Sequence, residues 1–306
     1  MPARPRVIQA YVILAILTLT AAIAGAQAST WSGATSNDWF TAANWSAGVP
    51  TSVTDATIPA APTRQPAVGS GAAQCQALTV ATGATLSIGA GKLTAFGAVA
   101  NAGSISVTTG TLELTTHFDN TGTFSAGTGT VLFSATGSKN LKMGGAVFHD
   151  INITEGLVNA FGTVSAQNLT VGVSGAINLS IFDHAIAANC SLSGGVTGTG
   201  VITLSGTGAL TTGLSPLPNV KVTGGVRTVN GAMVSQDLTL VGGTTKVASG
   251  LLAVVGNLGM QPGAKLDVSG SGVLDVFGTL ALGGTVTMSG GQVICRGAWT
   301  SDATFA

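Results

Sequence analysis

The stretch "GATLSIGAGKLTAFGAVANAGSISVTTGTLELTTHFDNTGTFSAGTGTVLF", Gly83 to Phe133, decides the fold because its apolar residues recur every nineteen positions. The recurring apolar sets are Leu86, Ile105 and Phe124; Leu93, Leu112 and Val131; and Val99 and Phe118. The same interval separates Gly91, Gly110 and Gly129, and also Asn101 and Asn120. Repetition at a short fixed period is typical of a solenoid, in which each repeat packs against its neighbours.

Each period holds three short apolar segments separated by Gly-rich corners. A strand rises about 3.3 Å per residue, so three such segments with tight corners make one coil of a parallel β-solenoid. We expect glycine to supply the positive φ that the corners demand. Equivalent apolar positions should stack inside, while Ser87, Ser106 and Ser125 form an exterior ladder. The predicted fold is all-β, a right-handed parallel β-helix of roughly 19-residue coils.

The later chain repeats this unit. "FGAVANAGSI" from Phe96 matches "FGTLALGGTV" from Phe277, and "CQALTV" from Cys75 matches "AQNLTV" from Ala166 and "SQDLTL" from Ser235. A β-sandwich array is the alternative, but its strands are expected at uneven spacing. The segments are too short for the strands of a transmembrane barrel.

Composition excludes two broad classes of protein. Only 7 % of the 306 residues are charged, 45 % are hydrophobic, and the formal net charge is zero. The hydrophobic content is too high for a disordered chain. Without excess positive charge there is no electrostatic reason to expect a nucleic-acid partner.

The first residues have the pattern of a signal peptide. Arg4 and Arg6 precede an apolar run from about Tyr11 to Ile23, and "AQA" ending at Ala28 gives a small-x-small cleavage site. We therefore predict an exported protein whose signal peptide spans residues 1–28. An uncleaved anchor is the alternative, although the run is near the lower limit for spanning a bilayer. The mature chain is expected to contain no membrane span.

Three of the four tryptophans lie in "WSGATSNDWFTAANWSAGVPTSVTDATIP", Trp31 to Pro59. They could form a lid over the first coil, whose interior and strand backbone would otherwise be exposed. Alternatively, exposed rings beside amides and acids could bind sugars. We prefer the lid and expect a Trp-rich cap over 29–66, followed by the solenoid over 67–306. The residues of this possible cap or carbohydrate contact are Trp31, Trp39, Trp45, Asp38 and Asp55.

The same segment carries a family resemblance. "W-x-G" at Trp31, "DW" at Trp39, "ANW" at Trp45, "GVP" at Pro50 and "DATI" from Asp55 resemble the amino-terminal signature of large bacterial secreted β-helix proteins. These include autotransporter-passenger-like, adhesin-like and PEP-CTERM-type surface proteins. The resemblance implies a structural or adhesive role at the cell surface or outside the cell. It implies no catalytic residue.

The sequence offers no catalytic constellation. Solenoid enzymes that cleave polysaccharides place several acids on one face, whereas Asp267 and Asp275 are assigned to different faces and start no acid ladder. The adjacent pairs His149–Asp150 and Asp183–His184 point to opposite faces of a strand and are expected at solvated positions. We predict no catalytic, metal-binding or cofactor-binding residue and no enzyme activity.

Two further observations bear on organisation. Cys75, Cys190 and Cys295 are odd in number and widely spaced, so we expect buried or half-buried thiols without a redox or zinc role.

The repeat is cut off at Ala306, so we expect a fragment of a longer protein.

Two functional hypotheses follow. The first is a non-enzymatic, monomeric, secreted or cell-surface rod that presents a Ser/Thr-rich surface, with a polysaccharide or cell-surface ligand as a possible partner. The second is a carbohydrate-binding or polysaccharide-cleaving β-helix whose active part is missing or unrecognised.

Overall fold

The computed structural model describes residues 27–213 and 216–306. They form an all-β solenoid of about 13 turns with a spacing of about 19 residues, as the sequence predicts. A short 3-10 helix, Ala42–Asn44, interrupts the strands. Among these residues no helix is long and apolar enough to cross a membrane. Of the predicted signal peptide, 1–28, residues 1–26 lie outside the described residues, whereas Gln27 and Ala28 belong to the first strand.

The strands fall into three groups along the chain. The first coils contain β1 (Gln27–Thr30), β2 (Thr54–Ile58), β3 (Ala67–Val68), β4 (Ala72–Cys75), β5 (Leu78–Val80), β6 (Thr85–Ile88), β7 (Lys92–Ala95), β8 (Val99–Asn101), β9 (Ser104–Val107), β10 (Thr111–Leu114), β11 (Phe118–Asn120), β12 (Thr123–Ser125) and β13 (Thr130–Phe133). The middle coils contain β14 (Ser138–Lys142), β15 (Phe148–Ala160), β16 (Ser165–Asn178), β17 (His184–Ile186), β18 (Cys190–Leu192), β19 (Gly195–Thr197), β20 (Val201–Leu204), β21 (Gly208–Thr212) and β22 (Asn219–Val222). The last coils contain β23 (Val226–Ser235), β24 (Leu238–Leu240), β25 (Thr244–Val254), β26 (Leu258–Met260), β27 (Lys265–Val276), β28 (Leu280–Leu282), β29 (Thr285–Ser289), β30 (Gln292–Cys295), β31 (Trp299–Ser301) and β32 (Thr304–Phe305).

The first coils have three faces, each a stack of short parallel strands. One face stacks β5, β8 and β11, the second stacks β3, β6, β9 and β12, and the third stacks β4, β7, β10 and β13. On the second face Leu86, Ile105 and Phe124 are in register and buried. Ser87, Ser106 and Ser125 are aligned beside them, with side chains on the outside. The predicted interior and exterior ladders are therefore both confirmed.

The later coils depart from the three-strand prediction because two strands merge across a corner. In β15, residues 150–153 pair with β13, whereas residues 157–160 pair with β14. A register shift between Ile153 and Glu155 lets the chain turn there while it keeps pairing with β16. β23, β25 and β27 contain comparable shifts.

The glycines at the nineteen-residue interval serve a different purpose from the predicted one. Gly91, Gly110 and Gly129 do not have positive φ. A Cβ at Gly110 would collide with the carbonyl oxygen of Gly91 on the preceding coil. These positions therefore require glycine for close backbone approach, whereas positive φ occurs at other corners, such as Gly156 (φ 70°).

Candidate functional site

The three tryptophans of the amino-terminal segment form one buried cluster. Trp31, Trp39 and Trp45 are 1 %, 0 % and 5 % exposed. The ring centroids of Trp31 and Trp45 lie 5.0 Å apart and those of Trp39 and Trp45 lie 4.7 Å apart, both edge-to-face. This is a favourable geometry for aromatic packing. It leaves none of the three ring faces available for stacking on a sugar.

Backbone pairing with the first coils positions the cluster. β1 pairs in parallel with β2, and the Trp31 amide continues that ladder by donating to Thr57 O at 2.8 Å. The Trp39 amide donates to Ala67 O at 3.0 Å. The indole N–H of Trp31 donates to Arg64 O at 2.6 Å and that of Trp45 to Trp39 O at 2.7 Å. The indole nitrogen of Trp39 has no partner within the described residues.

Asn44 organises the loop between these tryptophans, a role that the sequence analysis did not assign. Its side chain is fully buried. Its Oδ1 accepts from the amides of Thr35 and Ser36 at 2.9 and 3.0 Å, and its Nδ2 donates to Asp38 O at 3.0 Å. The "ANW" motif was the available signal, because a buried asparagine commonly forms hydrogen bonds with the backbone of a loop.

The two acids of the candidate set bind backbone and hydroxyl groups. Asp38 is exposed, and its carboxylate accepts from the Phe40 amide at 3.2 Å and from Thr41 Oγ1 at 3.1 Å. Asp55 Oδ1 accepts from the Ala77 amide on the next coil at 3.0 Å. Asp38 therefore stabilises a turn, and Asp55 links two coils.

The Asp55 contact recurs along the solenoid. Asp183 Oδ1 accepts from the Val201 amide at 3.2 Å, Asp237 Oδ1 from the Asn257 amide at 2.7 Å, and Asn257 Oδ1 from the Thr279 amide at 2.9 Å. Each side chain thus satisfies an N–H on the following coil. The sequence signal is an Asp or Asn just before the first interior residue of a strand.

Three other acids form ion pairs between coils, and they are Glu113, Asp119 and Asp275. Glu113 contacts Lys92 and accepts from Thr94 Oγ1 at 2.9 Å and Ser134 Oγ at 2.5 Å. Burial raises the pKa of the Glu113 carboxyl. The hydrogen bonds and the Lys92 charge outweigh that effect, so its net pKa lies below the usual value.

Asp275 forms a bidentate ion pair with Arg296, in which Nε lies at 2.8 Å and Nη2 at 2.7 Å. Arg296 also lies over the Phe277 ring, 4.7 Å from its centroid. Asp267 and Asp275 lie on separate limbs of β27, which pair with β29 and β30 respectively. The prediction that these two acids lie on different faces is confirmed.

The histidine prediction is wrong for His184, which is 2 % exposed. Its Nδ1 accepts from the Val164 amide at 3.0 Å, and its Nε2 lies 2.8 Å from Leu179 O. Burial outweighs the opposing effects of Leu179 O and Asp183, and lowers the pKa of this imidazole. The adjacency of Asp183 and His184 could not reveal that the histidine faces the interior.

His149 also differs from the expectation, because adjacency to Asp150 does bring the two side chains together. Its Nδ1 lies 3.0 Å from Asp150 Oδ1. The contact does not have hydrogen-bond geometry. The pair is half-buried on the outside of the solenoid.

Two cations are buried in the corners, which the sequence analysis did not anticipate. Arg227 is fully buried, and its guanidinium donates to Ala187 O at 2.9 Å, to Ile186 O at 3.2 Å and to Ala188 O. Lys139 donates to Ala135 O and to Glu155 O, the latter at 3.1 Å. Burial lowers the pKa of both groups. They satisfy corner carbonyls that would otherwise be buried without donors.

The cysteines occupy the predicted kinds of position. Cys75 and Cys190 are buried and Cys295 is partly exposed, and all three are free thiols. Burial raises the pKa of Cys75 and of Cys190 to about 12. Across the described part of the chain, no three His, Cys, Asp or Glu side chains converge as a metal site would require.

Comparisons with known proteins give one match. No curated protein and no solved structure matches the chain. The model of a family described as a domain of unknown function, DUF8693, matches residues 30–129. The matched region spans the tryptophan cluster and the first solenoid coils.

Proposed function

We propose that this protein is an exported, non-enzymatic β-solenoid rod that acts as a structural or adhesin-like scaffold at the cell surface or outside the cell. The observation that carries the proposal is that acidic side chains of this protein form contacts between its own coils. Glu113, Asp275 and Asp237 bind partners on adjacent coils, whereas a solenoid enzyme would direct several acids at its substrate. These three acids therefore connect one coil to the next.

The shape supports the same role. About 13 parallel turns, each adding about 4.8 Å, give a stack on the order of 60 Å long. Hydrogen-bonded backbone and aligned interior residues make such a stack stiff along its length. Rows of small polar residues such as Ser87, Ser106 and Ser125 cover part of the outside.

The tryptophan cluster fits a lid in this proposal. Trp31, Trp39 and Trp45 join the continuous core at the end where the stack begins. β1 pairs with β2, which in turn pairs with β5, so the segment continues the solenoid sheet. Covering the first coil in this way would protect its interior and its strand edge from other chains.

The proposed export follows from the residues that precede this lid. The Arg-containing start, the apolar run and the "AQA" motif form a signal-peptide pattern. The resemblance to secreted β-helix proteins supports the same destination. We propose that cleavage near Ala28 releases a monomeric rod.

Expression of the full chain in a bacterial host tests the proposal. We expect to find the product outside the cytoplasm, with an intact mass that corresponds to a chain beginning near Ser29. The Leu17→Arg control should remain in the cytoplasm. The purified rod should release no new reducing ends from a panel of polysaccharides. A cytoplasmic product that still carries Met1 would refute export, and polysaccharide turnover would refute the non-enzymatic role.

A further inference from the structure

A shallow recess lies on the outside of three consecutive coils. Its volume is about 300 Å³. The lining residues are His117, Phe118, Asp119, Asn140, Lys142 and Phe161. The recess is separate from the tryptophan cluster and combines an exposed aromatic ring with polar groups.

The register of the solenoid assembles this recess. Phe118 and Asp119 of β11 align with Leu141 and Lys142 of β14. The Phe161 amide donates to Leu141 O at 2.8 Å, which places Phe161 beside Lys142 on the following coil. Four of the six lining residues lie on the paired strands β11 and β14, and His117 and Phe161 lie directly beside strand ends, so the geometry of the recess is largely pre-formed.

Phe161 lies on the exterior, and 57 % of its side chain is exposed. The other members of its exterior column, Lys142 and Asp119, are charged. A ring exposed to this extent gains only part of the free energy of burial in the folded chain. Its flat apolar face remains available to pack against the C–H face of a ligand.

The polar lining is electrically balanced. Lys142 Nζ lies 3.0 Å from Asp119 Oδ1, and both side chains are about half exposed, at 47 % and 55 %. His117 Nδ1 accepts the Asn140 amide at 2.9 Å, so its proton is on Nε2, where it can donate to a ligand. The recess therefore offers donors and acceptors without a net charge.

We propose that this recess is a binding site for a neutral carbohydrate, with Phe161 as the stacking surface and Asp119, Lys142 and His117 as hydrogen-bond partners for hydroxyl groups. Small-ligand sites typically combine apolar or aromatic lining with a few polar groups that fix orientation. A sugar matches this combination because one face of its ring is apolar and its edge is polar. The proposal goes beyond the scaffold role and does not depend on export.

Other ligands fit less well. A nucleic acid or an acidic polysaccharide requires an excess of positive charge, whereas Lys142 is neutralised by Asp119. A stable protein partner engages about 20–30 residues on each side, whereas six residues line this recess.

The apolar surface continues onto the next coil, which suggests a chain of sugars. Asn159 aligns with Asn178, so Ser180 follows Phe161 in the same column. Ile181 and Phe182, immediately after it, are 76 % and 37 % exposed. A ligand that extends past Phe161 onto the next coil would meet Ser180 first, with these two apolar side chains beside it.

The test uses the purified chain with soluble dextran, mixed-linkage β-glucan and galactomannan as probes in affinity electrophoresis and calorimetry. We expect binding to at least one of them, and a loss of affinity of about tenfold or more for Phe161→Ala. Phe161→Trp should keep binding because it retains an aromatic face. Phe277→Ala is the matched control, since Phe277 is 50 % exposed at a different corner.

The proposal would be overturned if the unaltered protein bound none of the neutral probes, or if Phe161→Ala and Phe277→Ala bound equally. An unchanged thermal midpoint in Phe161→Ala ensures that lost binding reflects the lost ring. Saturable capture of a protein with no polysaccharide binding would also overturn it, in favour of a protein-binding surface. None of these results bears on where the protein is located or whether it is an enzyme.

Discussion

The side-chain amide of Asn101 donates to Oδ1 of Asn120, 2.7 Å away, inside the solenoid. The two residues occupy the same register position on adjacent coils, and both are buried. Asn101 also donates to Thr123 O at 2.9 Å, and Asn120 donates to Met143 O at 2.7 Å. This amide ladder ties successive coils together and satisfies carbonyls at the corner where the chain turns.

Asn120→Ala should destabilise these coils by about 1–3 kcal/mol, because Asn101 and Met143 O each lose a buried hydrogen-bond partner. Urea unfolding followed by circular dichroism measures the change. Ser125→Ala, on the exposed side of β12, should change stability by less than about 0.5 kcal/mol. Equal effects of the two substitutions would mean that the ladder does not contribute to stability.

Trp39→Ala should destabilise the amino-terminal end by about 3–5 kcal/mol, the range for removing a large buried aromatic side chain. Each coil contacts only its neighbours, so the effect should remain local. Hydrogen exchange should accelerate in β1, β2 and β5 and remain unchanged in β27. Trp299→Ala is the control because that side chain is 49 % exposed. Unaltered exchange in β2 after Trp39→Ala would contradict the lid.

Glu113 should make the stability of the fold depend on acidity. Its pKa is lowered in the folded state, whereas the unfolded chain has a value of about 4.3. The ionised carboxylate therefore stabilises the fold above the unfolded pKa, and this contribution is lost as the pH falls through the folded pKa.

Comparison with Glu113→Gln measures that contribution. The original chain should be more stable than the variant near neutral pH, and the difference should shrink as the pH falls below about 4.3. Lys92→Met should reduce the pH dependence, because the Lys92 contact helps to lower the Glu113 pKa. A stability difference that does not vary with pH would contradict the assigned ion pair.

Thiol labelling should separate the three cysteines. Cys75 and Cys190 are buried, with pKa values raised to about 12, so iodoacetamide should react with neither in the folded protein. Cys295 is partly exposed and should react first. Peptide mass spectrometry before and after unfolding in urea checks this order, and rapid labelling of Cys190 in the native protein would contradict it.

Most of the fold could be predicted from the sequence because equivalent positions recur at a constant spacing, which identifies the residues that stack on successive coils. Leu86, Ile105 and Phe124 are separated by one coil length, so the periodicity alone identifies residues that stack in register. Side-chain direction at isolated positions carries no such repetition. For that reason the buried state of His184 and the internal position of Arg227 could not be inferred from their neighbours in the sequence.

The tryptophans also show which features the sequence predicts and which only the structure decides. Their composition and position predict either a lid or a platform, since both use aromatic rings beside polar residues. The pairing of β1 with β2 and the contacts of Asn44 bury all three rings. Phe161, by contrast, belongs to no motif in the sequence, and only the stacking of the coils places it beside Asp119 and Lys142.

By itself the sequence determined that this chain stacks short strands at a nineteen-residue period, which residues form the interior, and the balance of charge that disfavours nucleic acid. These properties follow from local spacing, which strand geometry converts directly into position. The tertiary structure decided which polar groups are buried, why Gly110 must lack a Cβ, and which aromatic ring remains exposed. Those outcomes depend on contacts between coils, which bring together residues about one coil length or more apart in the sequence. No local sequence pattern encodes the side-chain environments that result.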